Sequence, residues 1–441
     1  MVRPLDAVGR GARNSCSTAS FGTGVHMLPL LMAGVLATTA VADPQVIGWI
    51  EQNARQEITE ESIGGATVVG LGESTHNTHE EAAIKFGLLR YLVEERGFRS
   101  IAWEEDWTTS VRVNRYVLGG QGGLDALMGE LTTTWRTREV RDVLAWLRSH
   151  NAAHPGRMVR FVGVEYYATR SLAHDAVSSY VAKAAPWRLR ELRRHLRFIA
   201  PRHEDTRANL DWYRAEPNKR PFISHARAVY ELVERLPEND DQQLALHNAR
   251  QILSWYEAFS LPFEEIYAYR DARAAENLRW WQRRTGDKVA YWASTAHTAA
   301  APGLRLTLGG PPLVFDNAGS YLRRWYGDRY RSITVLFDHG TLGTGSGCGV
   351  APAPVPRPDA DFANRVFGDA FAGNGPAQYV VDLRNKAPQA VSEWLRAPAK
   401  VRGYAGYDPA FAQKSYMEGG SLAQWFDVVV HRQVITPCTP L

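Results

Sequence analysis

The chain has 441 residues, 45% of them hydrophobic and 22% charged, which is enough to bury a large core and excludes a disordered polymer. Lys and Arg number 51 against 47 Asp and Glu, a formal net charge of +4 that, spread over this length, gives no concentrated basic patch of the kind that binds nucleic acid. The three cysteines, Cys16, Cys348 and Cys438, are too few and odd in number for a disulfide framework and fit a reducing compartment, while leaving room for one Cys348–Cys438 bridge.

Residues 1–42 read as a poorly ordered leader or signal-like segment. Arg3, Arg10 and Arg13 precede an apolar run from Met27 to Ala42, and Ala40-Val41-Ala42 has the small-x-small form of a signal-peptidase site. The charges stand well ahead of the apolar run, and a start codon assigned upstream of Met27 would look the same. A cytoplasmic location is therefore expected, with export after cleavage near Ala42 as the alternative. Pro29, Gly34, Thr38 and Thr39 interrupt the run, so no membrane span is expected.

Residues 43–441 read as one α/β domain. Short apolar, β-branched runs at Thr67–Leu71, Ser100–Trp103, Val159–Val164, Val289–Trp292, Ile333–Phe337, Tyr379–Leu383 and Val428–Val430 predict buried strands of a largely parallel sheet flanked by helices. After the first run, Ala83, Phe86, Leu89 and Val93 recur at helical spacing, and Gly97 is placed as a stop. Residues 171–284 lack strand runs but carry helical stretches at Leu192–Phe198, His225–Leu236 and Leu244–Phe259, which predicts a helical insertion covering the active-site face. Residues 351–358 read as a Pro-rich loop.

Four of the predicted strands run out into residues able to do chemistry: Glu73 and His76, then Glu104 to Asp106, then Glu165, then Ser294 to His297. Ligands bind beyond the carboxyl ends of parallel strands, so these segments can converge on one cleft. Capping of the following helix is the competing role for any single acid among them. In Gly72-Glu73-Ser74-Thr75-His76 the spacing lets a carboxylate reach an imidazole across one turn and fix its tautomer, as a general base acting on water requires. Neither Ser74 nor Ser294 sits in a Gly-x-Ser-x-Gly elbow, so water is the expected nucleophile. His76, His79 and Glu80 share a helical turn, yet the order His-x-x-His-Glu matches neither common zinc motif; no metal and no cofactor is expected.

Several segments together resemble the erythromycin esterase family. They are Val69-Gly70-Leu71-Gly72-Glu73-Ser74-Thr75-His76 with Glu80, Ile101-Ala102-Trp103-Glu104 with Asp106-Trp107, Arg138-Glu139-Val140-Arg141-Asp142 with Trp146-Leu147-Arg148, Phe161-Val162-Gly163-Val164-Glu165, Arg270-Asp271 with Ala275-Glu276-Asn277, and Trp292-Ala293-Ser294-Thr295-Ala296-His297. The resemblance implies a metal-independent carboxylic ester hydrolase that opens a macrolactone or related ester, with inactivation of macrolide antibiotics as the implied role. His76 would be the base, Glu73 and Glu104 would shape and charge the site, and His297 would complete the cleft. Lys85, Glu80, Ser294 and Glu165 are the residues expected to bind the small-molecule substrate, and no nucleic-acid partner is expected. The chain departs from the family pattern at three places: Ser294 stands where a first histidine is usual, Lys85 where Arg is typical, and Glu165 where Asp is common. An ammonium is not equivalent to a bidentate guanidinium. The competing readings are a haem or metal carrier on a related fold, with His76 or His297 as axial ligand, and an acyl- or polysaccharide-processing enzyme on the same scaffold.

Overall fold

A computed structural model describes residues 43–441 apart from 167–169, 204 and 349. The expected leader, residues 1–42, lies outside the described residues. In chain order the strands are β1 (Val68–Gly72), β2 (Ser100–Asp106), β3 (Arg160–Glu165), β4 (Val289–Trp292), β5 (Leu304–Leu308), β6 (Leu313–Phe315), β7 (Tyr330–Gly343), β8 (Pro352–Val355), β9 (Gln378–Asp382), β10 (Val401–Arg402), β11 (Ser415–Glu418) and β12 (Val428–Ile435). An 8-stranded sheet runs β3-β2-β4-β1-β7-β12-β9, with β8 pairing to β7. From β3 to β12 every neighbouring pair is parallel, and only β9 and β8 join antiparallel. Each apolar run singled out in the sequence is a strand of this sheet. β1, β2 and β4 are buried along their whole length, as strands covered on both faces must be.

The helix His79–Glu94 forms as expected, capped by the Thr78 hydroxyl, which accepts from the Glu81 amide. Its buried stripe is Glu81, Ile84, Lys85, Leu88, Leu89, Leu92 and Val93, so the face is turned from the one read through Ala83, which is exposed. The turn happens because Glu81 and Lys85 are themselves inside. Between Arg170 and Thr285 the described residues are helical without a strand, and the stretch owns a separate core that includes Val177, Leu192, Phe222, Ile252 and Trp255. Its last helix, Phe263–Thr285, returns to the sheet, where Asn277 Nδ2 donates to the Val164 carbonyl at 2.8 Å.

Three readings need correction. The Pro-rich stretch is not only loop: β8 pairs antiparallel with the far end of β7, an edge position where missing N–H groups are tolerated. A second, 4-stranded antiparallel sheet, β10-β11-β5-β6, is present that the sequence reading did not contain. Basic charge is also concentrated locally, with Arg190, Arg193, Arg194 and Arg197 all exposed on the helix Leu189–Phe198. Cys348 and Cys438 are joined in a disulfide, the alternative left open by the cysteine count and one that fits an oxidising compartment better than a reducing one. No helix among the described residues is long and apolar enough to cross a membrane.

Candidate active site

Register brings the site together. Leu71 pairs with Trp292 and Trp103 pairs with Trp292, so β1, β4 and β2 end level with one another. The Trp103 and Trp292 rings stack at 4.4 Å beneath that edge. One or two residues further on, Glu73, Glu104 and Ser294 therefore stand side by side at that edge. Between Trp103 and Asp106 the register with β3 slips, and this irregularity re-aims Glu104. The carbonyls of Glu105 and Asp106 lie 2.4 Å from where a Cβ on Gly163 would stand, so only glycine fits opposite the slip. Gly72 plays a similar part on β1. A Cβ there would meet Thr298 Oγ1 at 2.5 Å and Thr295 Oγ1 at 2.8 Å, so the short helix Thr295–Thr298, which carries His297, rests directly on the strand.

The first group of charges is local to β1. Glu73 Oε1 lies 2.7 Å from His76 Nδ1, and its other oxygen lies 2.9 Å from Lys85 Nζ. Lys85 is fully buried, donates to the Ala293 carbonyl at 3.2 Å and sits 4.4 Å from the centre of the Trp292 ring. Burial pulls its pKa down against the opposing pull of Glu73. The His76 Nε2 edge faces Glu104 Oε2 at 3.9 Å, and Trp135 meets the imidazole edge-on at 4.6 Å. Trp135 is fixed in turn by its indole N–H, which donates to the Glu104 carbonyl at 2.7 Å. Beneath the loop, Glu81 accepts from the Ser74 amide at 2.7 Å and the Thr75 amide at 3.3 Å. Burial first, then the nearby Glu73, push its carboxyl up to about 8.

The second group is built by the helix Phe263–Thr285. Arg270 pairs with Glu104, donates from Nε to Glu165 at 3.1 Å, and brings Nη1 to 2.8 Å from His297 Nε2. Asp271 holds His297 Nδ1 at 2.9 Å and also accepts from the Ala318 amide at 2.8 Å. Ser294 donates its backbone N–H to Glu104 Oε2 at 3.0 Å. Burial works against charge on Glu104, but His297, Arg270 and His76 outweigh it and hold its carboxyl well below the usual range. Glu165, deeper and dominated by burial despite Arg270, is pushed up to about 7. For His297, burial opposes the charge, Asp271 favours it, Arg270 counters and Glu104 adds to it, the balance lying at about 10. The 2.8 Å approach of Arg270 requires Nε2 to accept, with the ring proton on Nδ1 toward Asp271; a second ring proton would have to be given to Glu104 Oε1, 3.3 Å away. Glu104 thus lies between two imidazoles, each backed on Nδ1 by its own carboxylate.

Both groups border a cleft of about 920 Å³, counting its open mouth. Glu73, His76, Glu104, Ser294 and His297 are among its lining, and Leu306, Leu308 and Met417 of the second sheet give it an apolar wall. That matches the usual mix of an apolar lining with a few placed polar groups. Of the residues expected to bind substrate, only Ser294 reaches the cleft. Lys85 is sealed behind Glu73, and Glu165 is buried behind Arg270, because each is consumed by the ion pair it supports. Glu80 points the other way and holds the Thr436 amide at 2.6 Å and its hydroxyl at 2.8 Å. His79 binds Glu139 at 2.8 Å, so the turn does not present His76, His79 and Glu80 together. Of the β2 acids, Glu105 secures the Thr132 amide at 2.7 Å and Asp106 caps the helix Trp107–Val117, leaving Glu104 alone in the site. Arg270 and Asp271, noticed in the sequence but given no role there, are the additions.

The fold and this cleft define an α/β protein with paired carboxylate–imidazole groups at the carboxyl end of a mostly parallel sheet. A family model described as Erythromycin esterase matches residues 93–434, and the chain belongs to that family, which relates it to hydrolases of the macrolide esterase kind. The segment with Glu73 and His76 precedes the matched range. Among curated relatives, the erythromycin esterase type II of Escherichia coli is 28% identical over 120 residues, 26% of this chain and 28% of the relative. The type I enzyme of the same organism is 30% identical over 109 residues, 25% of this chain and 26% of the relative. These alignments span little more than a quarter of either relative. A Bacillus cereus protein of known structure superposes with a TM-score of 0.77 at 24% identity, over 90% of this chain and 98% of its own. A succinoglycan biosynthesis protein gives 0.74 at 22% identity, over 89% and 97%. A mutant of the erythromycin esterase EreC in its open conformation gives 0.64 at 18% identity, over 87% and 93%. At these identities the likeness is one of fold.

Proposed function

We propose that this protein hydrolyses a macrolactone or related carboxylic ester by attack of water, with His76 as general base. The observation that carries the reading is the Glu73–His76 pair at 2.7 Å, which fixes the proton on Nδ1 and leaves Nε2 to face the cleft. Water held at Nε2 loses a proton to His76 as its oxygen bonds to the ester carbon. The charge that develops on the carbonyl oxygen is met by the Arg270 guanidinium, which His297 steadies through Nε2, and His76 returns the proton it took from water to the leaving alkoxide. Glu104 balances the imidazolium that forms on His76, and Lys85 pairs with Glu73 from behind. No step in this scheme calls for a metal or cofactor.

Macrolide inactivation is the favoured biological role, with residues 43–441 as the working domain and residues 1–42 as a dispensable leader. The disulfide favours export over the cytoplasm as the setting. Both ring nitrogens of His297 are engaged, by Asp271 and Arg270, which disfavours it as an axial haem ligand. The test is a mass-spectrometric screen of macrolides and simpler lactones for the gain of one water. Turnover lowered about 100-fold or more in His76→Ala supports the reading, and turnover unaffected by that change rejects it.

A further inference from the structure

The loop that carries His76 is gripped from both sides by segments that the disulfide joins. Asn77, next to His76 and buried, accepts at its carbonyl from the Cys438 amide at 2.9 Å, and its side-chain Nδ2 donates to the Gly345 carbonyl at 2.9 Å. Cys438 is bonded to Cys348, three residues beyond Gly345, across 90 residues of sequence. One asparagine is therefore held at its backbone by one arm of the bridge and at its side chain by the other. The arms have anchors of their own. The C-terminal arm is fixed where the His79 amide donates to the Thr436 carbonyl at 3.0 Å and Glu80 holds Thr436, and the other arm where Gly345 and Tyr407 exchange backbone bonds of 2.7 and 2.9 Å. The disulfide makes these two anchored arms one covalent frame around Asn77.

We propose that Asn77 is a positioning residue and that the Cys348–Cys438 bridge is the frame that lets it hold His76 in register with Glu73 and Glu104. The reading of His76 as base rests on the proposed function, but the mechanical claim does not. A small dithiol reduces the bridge to two thiols, taking two electrons and two protons to the cysteines and becoming a cyclic disulfide itself. Cys438 is buried and Cys348 half-buried, so the reagent reaches the bridge from the Cys348 side. Once reduced, the arms are no longer tied to each other, and Asn77 loses the shared frame without losing the anchors that keep the arms folded.

The test compares oxidised protein, protein reduced with dithiothreitol, reoxidised protein and the Cys348→Ala/Cys438→Ala variant by amide hydrogen exchange of residues 74–80. Exchange there should rise by at least about tenfold on reduction, return on reoxidation and be dithiol-insensitive in the variant, with the strands of the large sheet unchanged. Unchanged exchange in this loop overturns the proposal, and so does a rise spread evenly over the chain, which would make the bridge a general staple. In parallel, hydrolysis of erythromycin should show kcat lowered with KM held on reduction, and Asn77→Asp with the bridge intact should do the same. If no hydrolysis is seen in any state, the proposed function fails while the exchange result still decides the frame.

Discussion

Replacing Lys85 with Met should destabilise the protein by about 3–5 kcal/mol, the usual cost of removing one partner from a buried ion pair. The ammonium is fully buried, 2.9 Å from Glu73, and its removal leaves that carboxylate inside with no permanent cation in contact. Met fills much the same volume along the Trp292 ring, so the loss is electrostatic rather than a cavity. Against a typical total of about 5–15 kcal/mol this is a large fraction. Equilibrium unfolding in urea measures it. The double variant Lys85→Met/Glu73→Gln should recover on the order of 1–3 kcal/mol relative to Lys85→Met alone, since it removes the stranded charge. Lys85→Arg should also destabilise, because a larger planar guanidinium would have to be packed where a fully buried ammonium now sits against Trp292 and the Ala293 carbonyl. KM of any variant that folds should stay near the wild-type value, as Lys85 does not reach the cleft. A cost below about 1 kcal/mol for Lys85→Met, or a double variant no better than the single, would refute the claim that the pair is coupled in a desolvated site.

Three further outcomes are expected. His76→Ala should lower turnover by roughly 10² to 10⁴-fold with a smaller change in KM, read by steady-state kinetics on a hydrolysed lactone. Ser294→His adds an imidazole to the cleft lining and should raise turnover in the wild-type background but leave His76→Ala slow, because it assists the reaction without replacing the base. Glu165 has a folded pKa of about 7, above its unfolded value, so the folded state binds the extra proton and stability falls as pH rises through that range. Urea midpoints from pH 5 to 8 should therefore fall less in Glu165→Gln than in wild type, and parallel curves would contradict the assignment.

The central sheet was legible because each strand buried on both faces is a short run of β-branched and aromatic residues, from Thr67–Leu71 to Val428–Val430. The second sheet was not, since β5 and β11 mix Arg305, Thr307, Tyr416 and Glu418 with their apolar residues and β10 is two residues long. The acids at strand ends pointed to the right edge of the sheet, but the sequence could not say which acid faces the cleft. Glu104 does so through a register slip that needs Gly163 on the next strand, a pairing between distant segments. Lys85 and Glu165 were misplaced because charge in a sequence reads as accessible, whereas here it is spent on ion pairs behind the site. A signal for such residues was present: Asp271 shares the helical stripe of Ala274, Ala275 and Leu278, and Glu81 that of Ile84 and Leu88. A carboxylate on an apolar stripe has to be buried and therefore bound to something.

The contact at Gly72 sets which parts of this molecule are free to vary. Because the helix Thr295–Thr298 rests on bare backbone at Gly72, its distance from β1 is set by the main chain, and the apolar wall of the cleft takes no part in that contact. The apolar wall of Leu306, Leu308 and Met417 belongs to the second sheet and not to the one beneath the imidazoles. On the proposed function, a library confined to those three positions should alter which ester is accepted while the charged centre stays in place.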